Sequence, residues 1–536
     1  MGRAHALRIA GVGLAIAACL GVDAWARGSA TSRRSPAAST LSKTWSLPGA
    51  NLQNDRDAGG PINASNVSTL GVAWTDPINA PNVGFGAYAT TPVVSNGVMY
   101  TQDRASNVEA IDVNSGRVLW MHEYNSPDDG PNGVTVVNGT VFGATETSAF
   151  ALRAATGKQL WIRKLTRNGY EGIDEAPGYD DGTVYVSTVP SNVSEYYAGD
   201  GQAILWAMNS TTGVTKWKWD EVPATLWSSA NTDINSGGGL WDPPTFDNRG
   251  NLYVGTANPA PFPGTEQDPW GSSRPGPDLY SDSIVKLSAR TGKLLWYYQL
   301  TPHDLYDHDL EDSPILATAH GRPIVIDGGK AGFLVAVSAR SGKLIWKLAV
   351  GVHNGHDDDN LYAEKGEYSR LRLPETIEPG NLGGIESQLA SNGTTVFAAV
   401  NNLAVTLTQQ TFINAKFTVP FDKGTGDLVA VNEATGKVEW EDKLPSSPYG
   451  AATLANDVVF TTTFDGVLYA FDANTGQELW HTRLSASTNA PVAVVGNTVL
   501  TAGSYPTAPG QKALIIAYRL GATGSLPRSG KRDPRG

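Results

Sequence analysis

The sequence predicts an all-β protein: an eight-bladed β-propeller with four-stranded blades, in which an N-terminal strand completes the last blade. Three observations in the 536 residues lead to this prediction. A tryptophan-containing segment recurs seven times, a strand-turn-strand opening recurs eight times, and one unmatched tryptophan, Trp74, precedes the first opening. Such recurrence indicates a repeat architecture, in which each unit buries its apolar face against its neighbours.

The first observation is the tryptophan repeat, in which a glycine stands four residues before each tryptophan. Six copies have alanine ten residues before the tryptophan, and the fourth copy has Lys286 instead. An alternating strand, a polar turn whose glycine can take a positive φ, and a second strand form a hairpin. A hairpin alone cannot bury an indole, so small alanine beside large tryptophan predicts that neighbouring units clamp one another. The copies end at Trp120, Trp161, Trp217, Trp296, Trp346, Trp440 and Trp480.

The other two observations set the number of blades and the closure of the ring. Each blade should open with an innermost strand and a turn, as in "TTPVVSNGVMY" and "GAATLANDVVF". The sequence contains eight such openings but only seven complete tryptophan repeats. Trp74 in "NVSTLGVAW" is predicted to serve as the tryptophan of the eighth blade. The N-terminal strand is therefore expected to follow "KALIIAYRL" in the last sheet, which closes the ring and removes exposed sheet edges.

The regions outside the repeats divide the chain further. Residues 1–26 are predicted to be an export signal, because a basic start precedes the short apolar run "IAGVGLAIAACLGV". Two processing sites remain open: "AWA" at 24–26 suits a small-residue cleavage site, whereas "IAAC" resembles a lipobox that would leave Cys19 lipidated. We expect the folded part to be extracytoplasmic, either periplasmic or secreted. Residues 27–45 are predicted as a linker, 46–522 as the propeller and 523–536 as a basic disordered tail.

Composition excludes several classes of function. Cys19 is the only cysteine, so the mature protein has no disulfide and no C-x-x-C-H haem site. The formal net charge of −12 repels phosphate backbones, which argues against a nucleic-acid partner. No segment after the signal is apolar enough to span a membrane, so membrane contact is expected only through a lipid on Cys19.

One loop concentrates ionisable side chains: "TPHDLYDHDLED", residues 301–312, contains five carboxylates and two histidines. It leads into a blade opening, and the first residues of each innermost strand of a propeller lie near the central axis. Converging carboxylates repel unless a cation or a shared proton compensates them, and a hard metal with oxygen ligands is one solution. A solvated polar channel mouth is the alternative. The predicted axial residues are Thr90, Asn132, Glu175, Asp242, Asp312, Glu386, Tyr449 and Asn489.

Two insertions lengthen the spacing from the third to the fourth tryptophan to 79 residues and from the fifth to the sixth to 94. Long ordered loops usually carry function, so we expect the insertions to roof one end of the central funnel. The second insertion contains "HNGHDDDN", residues 353–360. It could bind a cation through His356 and residues 357–359, or be a solvated loop.

These segments together resemble a known family. The repeat "A-x-x-x-x-T-G-x-x-x-W", the eight blades, "GGGLWD" (237–242), "NPAP" (258–261) and "TPHDLYDHD" (301–309) are similar to the quinoprotein alcohol dehydrogenases. Members of that family are exported propellers that hold pyrroloquinoline quinone and a metal ion in the funnel. The resemblance covers nearly the whole mature chain, and "TPHD-x-x-D" after a blade tryptophan is its most specific part.

The resemblance implies roles in catalysis and cofactor binding. Asp307 matches the catalytic base, which would take the hydroxyl proton while hydride passes to the quinone carbon. Trp241 matches the indole under the cofactor ring, and Lys330 matches a cation that contacts the quinone oxygens. Gly239 and Glu386 are the further residues expected to bind the cofactor.

The resemblance also implies a metal site, with calcium or a lanthanide as the ion. Asn258, Asp307 and Asp309 are the expected ligands, and the ion would act as a Lewis acid on the quinone carbonyl. Asp309 resembles the extra carboxylate of lanthanide-dependent members, although a solvent-facing side chain is the alternative. The usual glutamate ligand has no matching motif, and the candidates are Glu171, Glu175 and Glu195.

The chain departs from the family pattern at three points. Ala89 stands where the family has glutamate, and Asn132 stands where an arginine for the cofactor carboxylate is expected. The vicinal disulfide that lies over the quinone in many members is impossible here, because a single cysteine is present. These departures bear on the affinity for the quinone and leave the fold prediction untouched.

Three side chains around Asp307 need interpretations of their own. His303 and Asp304 are expected to brace the loop by hydrogen bonds rather than to react. His308 lies between Asp307 and Asp309 in the sequence, so it could pair with one of them or serve as a ligand.

The function predicted from these residues is that of an exported quinone-dependent dehydrogenase that oxidises an alcohol or sugar-type hydroxyl. A separate electron acceptor is implied, because the chain has no haem site. A non-catalytic propeller scaffold or binding lipoprotein of the cell envelope is the alternative. A metal-assisted hydrolase finds no support, since neither a separate nucleophile nor a zinc-like motif is present.

Overall fold

Eight four-stranded antiparallel sheets make up most of the part of the chain that the computed structural model describes. That part comprises residues 44–82, 86–191, 201, 203–227, 233–408 and 420–527. Each sheet is one blade, and in seven blades the strand order follows the chain from the innermost to the outermost strand. The predicted eight-bladed propeller with four-stranded blades is confirmed.

The first four blades follow one another along the chain. Blade 1 consists of Val93–Ser95, Val98–Gln102, Val108–Asp112 and Val118–His122. Blade 2 consists of Val134–Val137, Thr140–Thr145, Ser148–Arg153 and Gln159–Lys164. Blade 3 consists of Gly178–Asp180, Thr183–Thr188, Ile204–Asn209 and Thr215–Asp220. Blade 4 consists of Thr245–Phe246, Asn251–Gly255, Ser283–Ser288 and Leu294–Gln299.

The next three blades continue the same order. Blade 5 consists of Ile315–Ala319, Arg322–Gly329, Phe333–Ser338 and Leu344–Ala349. Blade 6 consists of Ala390–Ser391, Thr395–Asn402, Thr425–Asn432 and Val438–Leu444. Blade 7 consists of Thr453–Ala455, Val458–Thr463, Val467–Asp472 and Glu478–Arg483.

Blade 8 combines strands from both ends of the propeller. Its strands are Ala493–Val495, Thr498–Gly503, Leu514–Leu520 and Leu70–Pro77. The strand Leu70–Pro77 pairs antiparallel with Leu514–Leu520, and Trp74 lies opposite Ala517. The predicted closure by the N-terminal strand is therefore confirmed.

Short elements lie between and beside the blades. Ser236–Gly237 pairs with Pro259–Ala260, and Glu375–Ile377 pairs with Val405–Leu407. The described ranges contain one α-helix, Asp359–Glu364, and 3₁₀ turns at Val67–Thr69, Ala224–Leu226, Pro269–Gly271, Tyr368–Arg370 and Phe421–Lys423. Within those ranges, no helix is both long enough and apolar enough to cross a membrane.

The ends of the propeller extend slightly into the predicted flanking segments. Trp45 pairs with Val94 of blade 1, and Gly524 pairs with Val72 of blade 8. The predicted signal, with Cys19 and both of its processing sites, lies outside the described residues.

The repeated tryptophans join neighbouring blades. Within its own blade, Trp217 lies opposite Ala207 on the adjacent strand. Its indole Nε1 donates to Ala289 O of the next blade, at 3.0 Å. Equivalent hydrogen bonds to the next blade come from Trp74, Trp120, Trp161, Trp296, Trp346 and Trp440. The predicted clamp between units is confirmed, and it uses a backbone acceptor in addition to apolar contact.

In each repeat, the turn glycine packs against the tryptophan indole of the preceding blade, and a larger residue there would overlap the indole. Gly292 has φ +69°, and a Cβ built there would lie 2.5 Å from Cε3 of Trp217. We expect Gly292→Ala to lower the free energy of unfolding by about 2–5 kcal/mol, because a left-handed backbone costs about 1–2 and overpacking about 1–3 kcal/mol. Denaturant unfolding measures this loss.

Gly250 in the same blade provides the matched control. Its φ is +75°, and a Cβ built there would meet no atom within 4 Å. Gly250→Ala should therefore lower the free energy of unfolding only by the cost of the left-handed backbone, about 1–2 kcal/mol. Equal losses in the two variants would show that the indole contact does not limit the size of the turn residue.

Candidate active site

A cavity opens at the central axis, between the starts of the innermost strands. It contains about 1160 Å³ of empty space, including open solvent at its mouth. Six of the eight residues predicted at the axis line it, namely Asn132, Asp242, Asp312, Glu386, Tyr449 and Asn489.

The other two axial predictions, Thr90 and Glu175, are wrong by one residue each. Thr91 and Ala176 line the cavity instead. Successive residues of an extended segment face opposite sides, so an error of one position moves a side chain away from the axis. Glu175 is buried, and its carboxylate accepts a hydrogen bond from Ser187 N.

The segments that carry the family resemblance lie together beside this cavity. Gly238 N donates to Asn258 O, and Ala257 N donates to Gly239 O, each at 2.9 Å. Asn258 N donates in turn to Asp309 Oδ1 at 2.5 Å. These hydrogen bonds join "GGGLWD", "NPAP" and "TPHDLYDHD", which are far apart in the sequence.

Lys330 is at the centre of a charge cluster at this junction. Its Nζ contacts Asp309 Oδ2, and it lies 3.7 Å from Asp307 Oδ2 and 3.8 Å from Glu311 Oε1. The same ammonium lies 6.0 Å from the ring centroid of Trp241. The predicted residues Asp307, Asn258, Trp241 and Lys330 therefore belong to one connected cluster.

Burial controls the charge state of this cluster. It raises the pKa of Asp307 well above its ordinary value, and the Lys330 ammonium opposes this shift. Burial alone would lower the pKa of Lys330, but the nearby carboxylates of Asp307, Asp309, Glu311 and Glu386 together raise it above its ordinary value. The ammonium therefore stays charged, and a carboxylate held beside it in a dry site is a stronger base than one in water.

Two residues present unused oxygen atoms that fit a metal ion. Asn258 Oδ1 and both carboxylate oxygens of Asp307 are buried and have no hydrogen-bond partner among the described residues. Hard cations such as calcium prefer carboxylate and amide oxygens, so this donor set fits the implied metal. Groups of three or more His, Cys, Asp or Glu side chains that could hold an ion do not occur in the described ranges. An ion at this site would thus depend on the Asn258 amide.

The remaining ligand candidates that the structure describes have other partners. Asp309 is fully buried, so the solvent-facing interpretation is wrong. Its two oxygens already contact Asn258 N and Lys330 Nζ. Glu171 pairs with Arg167, whereas Glu195 lies outside the described residues.

Of the other cofactor candidates, Glu386 and Trp241 line the cavity. Burial raises the pKa of Glu386 to about 7. Gly239 is not among the lining residues, and its N–H donates to Glu221 Oε2 at 2.8 Å. A side chain at this position would overlap Val189, so Gly239 serves packing in this structure.

The cavity wall near Asn132 carries an arginine. Ala89 and Asn132 both line it, and so does Arg104, which no sequence pattern indicated. Arg104 Nη2 donates to Asp128 O at 2.8 Å, and Nε lies 3.3 Å from Asp128 Oδ1. Asn132 Nδ2 donates to Asp103 O at 2.8 Å, next to Arg104 in the chain. Arg104 therefore places a cation on the same wall as Asn132, in the turn after the second strand of blade 1.

A second unpredicted cation is hydrogen-bonded to residues that line the cavity. Arg56 is fully buried and donates to Gln388 Oε1 at 2.6 Å and to Val492 O at 2.7 Å. Gln388 Nε2 donates onward to Asp242 Oδ1 at 2.7 Å. Burial lowers the pKa of Arg56 to about 10, and Asp242 and Asp312 oppose this shift. The guanidinium thus compensates carboxylates that converge at the axis.

The segment that carries Arg56 connects several blades. Ser46 O accepts from Val136 N of blade 2, and Asn54 Nδ2 donates to Pro243 O just before blade 4. Arg56 O accepts from Leu454 N of blade 7. Because these blades lie far apart around the ring, the segment closes part of the axial space that a solvated channel would occupy.

The two side chains expected to brace the Asp307 loop do so. The His303 ring nitrogens lie 2.9 and 3.1 Å from two backbone carbonyls of the first insertion. Asp304 accepts hydrogen bonds from Tyr306 N at 3.0 Å and from His308 N at 2.8 Å. The carboxylate therefore links the residues on both sides of Asp307.

The predicted pairing of His308 with a neighbouring carboxylate is wrong. Its Nε2 lies 3.0 Å from Pro379 O. Of the two interpretations of "HNGHDDDN", a cation site and a solvated loop, the described structure supports the solvated loop. His353 pairs with Asp357 and His356 with Asp359, each at 2.8 Å, and no ligand cluster occurs there or elsewhere in the described ranges.

Comparison with known families gives matches along most of the propeller. Residues 56–350, just over half of the chain, match the family model described as the β-propeller domain of glucose/ethanol/alcohol dehydrogenases. Residues 383–533 match the model described as outer membrane protein assembly factor BamB.

Individual proteins show the same likeness. The quinohemoprotein alcohol dehydrogenase of Comamonas testosteroni is 28% identical in an alignment 530 residues long. The alignment covers 87% of this chain and 71% of that protein. The lupanine 17-hydroxylase (cytochrome c) of a Pseudomonas species is 25% identical, over 93% of this chain and 76% of its own. The structure of quinohemoprotein alcohol dehydrogenase ADHIIG from Pseudomonas putida has a TM-score of 0.78 at 22% identity, with 91% and 82% of the two chains covered. At that identity the structural likeness concerns the fold.

Proposed function

Since this chain belongs to the β-propeller family of pyrroloquinoline quinone-dependent alcohol dehydrogenases, we propose that it is a quinone-dependent dehydrogenase acting on an alcohol or sugar-type hydroxyl. One observation carries the proposal. Asp307 and Asn258 hold buried oxygens that have no hydrogen-bond partner among the described residues, in a cluster with Lys330 and Trp241. Asp307 and Asn258 do not line the cavity themselves, but Lys330 and Trp241 of the same cluster do. Unpaired buried polar atoms cost free energy, so an ion bound beside Lys330 would satisfy these oxygens.

In this proposal, Asp307 accepts the hydroxyl proton of the substrate on a carboxylate oxygen. Burial makes this carboxylate more basic, and Lys330, 3.7 Å away, stabilises its charged form. Trp241 provides a flat apolar surface on the cavity wall. Asn258 and Asp307 would hold a calcium or lanthanide ion through oxygen atoms, and Asp309 would join them only if its contact with Lys330 were released.

The cofactor supplies what these residues lack. When bound, pyrroloquinoline quinone would supply the acceptor for the hydrogen of the carbinol carbon and its two electrons, and the ion would supply Lewis acidity. Lys330 and Arg104 offer cations for its carbonyl and carboxylate oxygens. Electrons leave to a separate acceptor, because the sequence has no C-x-x-C-H haem motif.

The proposed location is outside the cytoplasm. The basic and apolar pattern of residues 1–26 supports export. Processing at "IAAC" would give a lipid-anchored protein, whereas cleavage after "AWA" would give a free one. Mass spectrometry of the mature N-terminus distinguishes a lipidated Cys19 from cleavage after Ala26.

The direct test is reconstitution of the purified mature protein with the quinone and either calcium or a lanthanide. We expect a bound chromophore after gel filtration and reduction of an artificial electron-acceptor dye that requires an alcohol or sugar. Omitting the ion should abolish dye reduction, because Asn258 and Asp307 lose the charge that binds to them.

A scaffold protein of the cell envelope is the second candidate. The match of residues 383–533 to the BamB model favours it. A scaffold needs neither a buried base nor a cation at the axis, whereas the enzyme needs both. Absence of bound chromophore and of dye reduction with every ion would overturn the enzymatic proposal in favour of this one.

A further inference from the structure

The loop that carries Asp307 is attached to the second insertion by a side-chain hydrogen bond. Tyr306 Oη donates to Asp359 Oδ2 at 2.6 Å, and Tyr306 is buried. Asp359 is the first residue of the helix Asp359–Glu364. We call residues 353–379, which include this helix, the cap.

The cap holds Asp359 in place. His356 Nδ1 lies 2.8 Å from Asp359 Oδ2, the same oxygen that accepts from Tyr306. The other ring nitrogen of His356 lies 3.6 Å from Glu375 Oε1, on the strand Glu375–Ile377. Contacts within the cap therefore hold the Asp359 carboxylate in the position where it accepts the hydrogen bond of Tyr306.

A second contact reaches the other side of Asp307. His308 Nε2 lies 3.0 Å from the carbonyl of Pro379, at the end of the cap. The residues that immediately precede and follow Asp307 thus both bind the cap. Asp307 itself makes no hydrogen bond through its carboxylate to the described residues.

Apolar packing supports the same junction. Leu305 and Tyr306 belong to a buried cluster with Ala363, Leu371 and Ile377 of the cap. All five side chains are at most 6% exposed. Within this apolar contact, the Tyr306 hydroxyl and the Asp359 carboxylate satisfy each other, so their separation would leave a buried polar group unpaired.

The backbone of Asp307 explains why its neighbours must be held. Its φ is +65°, in the left-handed region that residues other than glycine seldom adopt. Such a conformation costs free energy and persists only where the surrounding structure imposes it. Within the loop, the hydrogen bonds of Asp304 hold the backbone on both sides of Asp307. From outside the loop, the cap holds the same backbone through Tyr306 and His308.

We propose that Tyr306 and Asp359 are positioning residues: their hydrogen bond lets the cap set the orientation of the Asp307 carboxylate. This inference depends on the proposed role of Asp307 as the base. Neither residue touches the reacting atoms. Because Tyr306 also packs in the apolar cluster, removal of its hydroxyl alone separates positioning from folding.

The test compares Tyr306→Phe with the wild type after reconstitution with quinone and ion. We expect kcat to fall about tenfold or more with KM and chromophore content unchanged, because misplacement of a reacting group by a fraction of an ångström slows chemistry more than binding. Asp359→Ala should behave like Tyr306→Phe. Asp359→Asn should retain most of the wild-type kcat, because its amide oxygen can accept from both Tyr306 and His356.

Tyr362→Phe is the matched control. Tyr362 lies in the same helix, and its hydroxyl makes no hydrogen bond with the described residues. Its kcat should equal that of the wild type. An unchanged kcat in Tyr306→Phe, or an equal loss in Tyr362→Phe, would overturn the inference.

Hydrogen-deuterium exchange gives a readout that does not require activity. In the protein without quinone, amides of residues 301–312 should exchange several-fold faster in Tyr306→Phe, while those of blades 1 and 2 remain unchanged. Unchanged exchange in the loop would overturn the inference even if the enzymatic proposal stands. A wild type that reduces no dye would overturn the enzymatic proposal, and the exchange experiment would still show whether the cap holds the loop.

Discussion

Replacement of Asp307 by asparagine is expected to lower kcat of the reconstituted protein by about 10²–10⁴-fold, the usual contribution of a general base. Asparagine is the appropriate substitute because it tolerates a positive φ and keeps the shape of the side chain, whereas alanine would add backbone strain. The amide oxygen can still meet the ion, so chromophore content should change little. Steady-state dye reduction, together with the absorbance of bound quinone, measures both quantities.

Asp282 provides a matched control for this substitution. It is fully buried and has φ +47°, as Asp307 is buried and has a positive φ. Burial raises the pKa of Asp282 well above its ordinary value, as it does for Asp307, and asparagine keeps the shape of the side chain. Asp282→Asn should keep the wild-type kcat within about twofold, since it alters no proton acceptor at the site. If Asp307→Asn also kept the wild-type rate, Asp307 could not be the base.

Replacement of Arg56 by methionine is expected to lower the free energy of unfolding by about 3–5 kcal/mol, because each buried acceptor left without its donor costs about 1–3 kcal/mol. The guanidinium is fully buried and donates to Gln388, Ala452 and Val492. Its loss leaves these acceptors unpaired and removes the positive charge that acts on Asp242 and Asp312. Unfolding in urea, followed by tryptophan fluorescence, measures the change.

Removal of a nearby carboxylate measures how much of the stability lost in Arg56→Met is electrostatic. Arg56→Met combined with Asp312→Asn should recover part of the lost stability, because the second substitution removes one uncompensated carboxylate. Arg483→Met is the surface control: its side chain is 74% exposed, and the loss should stay within about 0.5 kcal/mol. If the double variant were no more stable than Arg56→Met, charge compensation would not be the role of Arg56.

The elements that could be predicted from the sequence are those fixed by local spacing. A glycine four residues before each tryptophan predicted the turn and the clamp, and the structure shows both, as at Gly292 and Trp217. The unmatched Trp74 predicted the closure of the ring, and it lies opposite Ala517 in blade 8. Such patterns are readable because they repeat, and each copy reports the same local geometry.

The candidate site was partly predictable for a different reason. The family resemblance selected Asp307, Asn258, Trp241 and Lys330, and the structure places them in one cluster. Their chemical roles remain proposals. Errors arose where one position decided the direction of a side chain, as at Thr90, or where a partner came from a distant segment. His308 illustrates the latter, because its partner is Pro379 O rather than a neighbouring carboxylate.

The sequence by itself determined the number of blades, the order of their strands and the segments that surround the axis, because periodic spacing translates directly into repeated local structure. Only the tertiary structure decided which charges compensate one another. Arg56 lies 332 positions from Gln388 in the chain, and Asp359 lies 53 positions from Tyr306. No periodic pattern marks such pairs, because burial and hydrogen bonding between distant segments depend on how the whole ring closes around its axis.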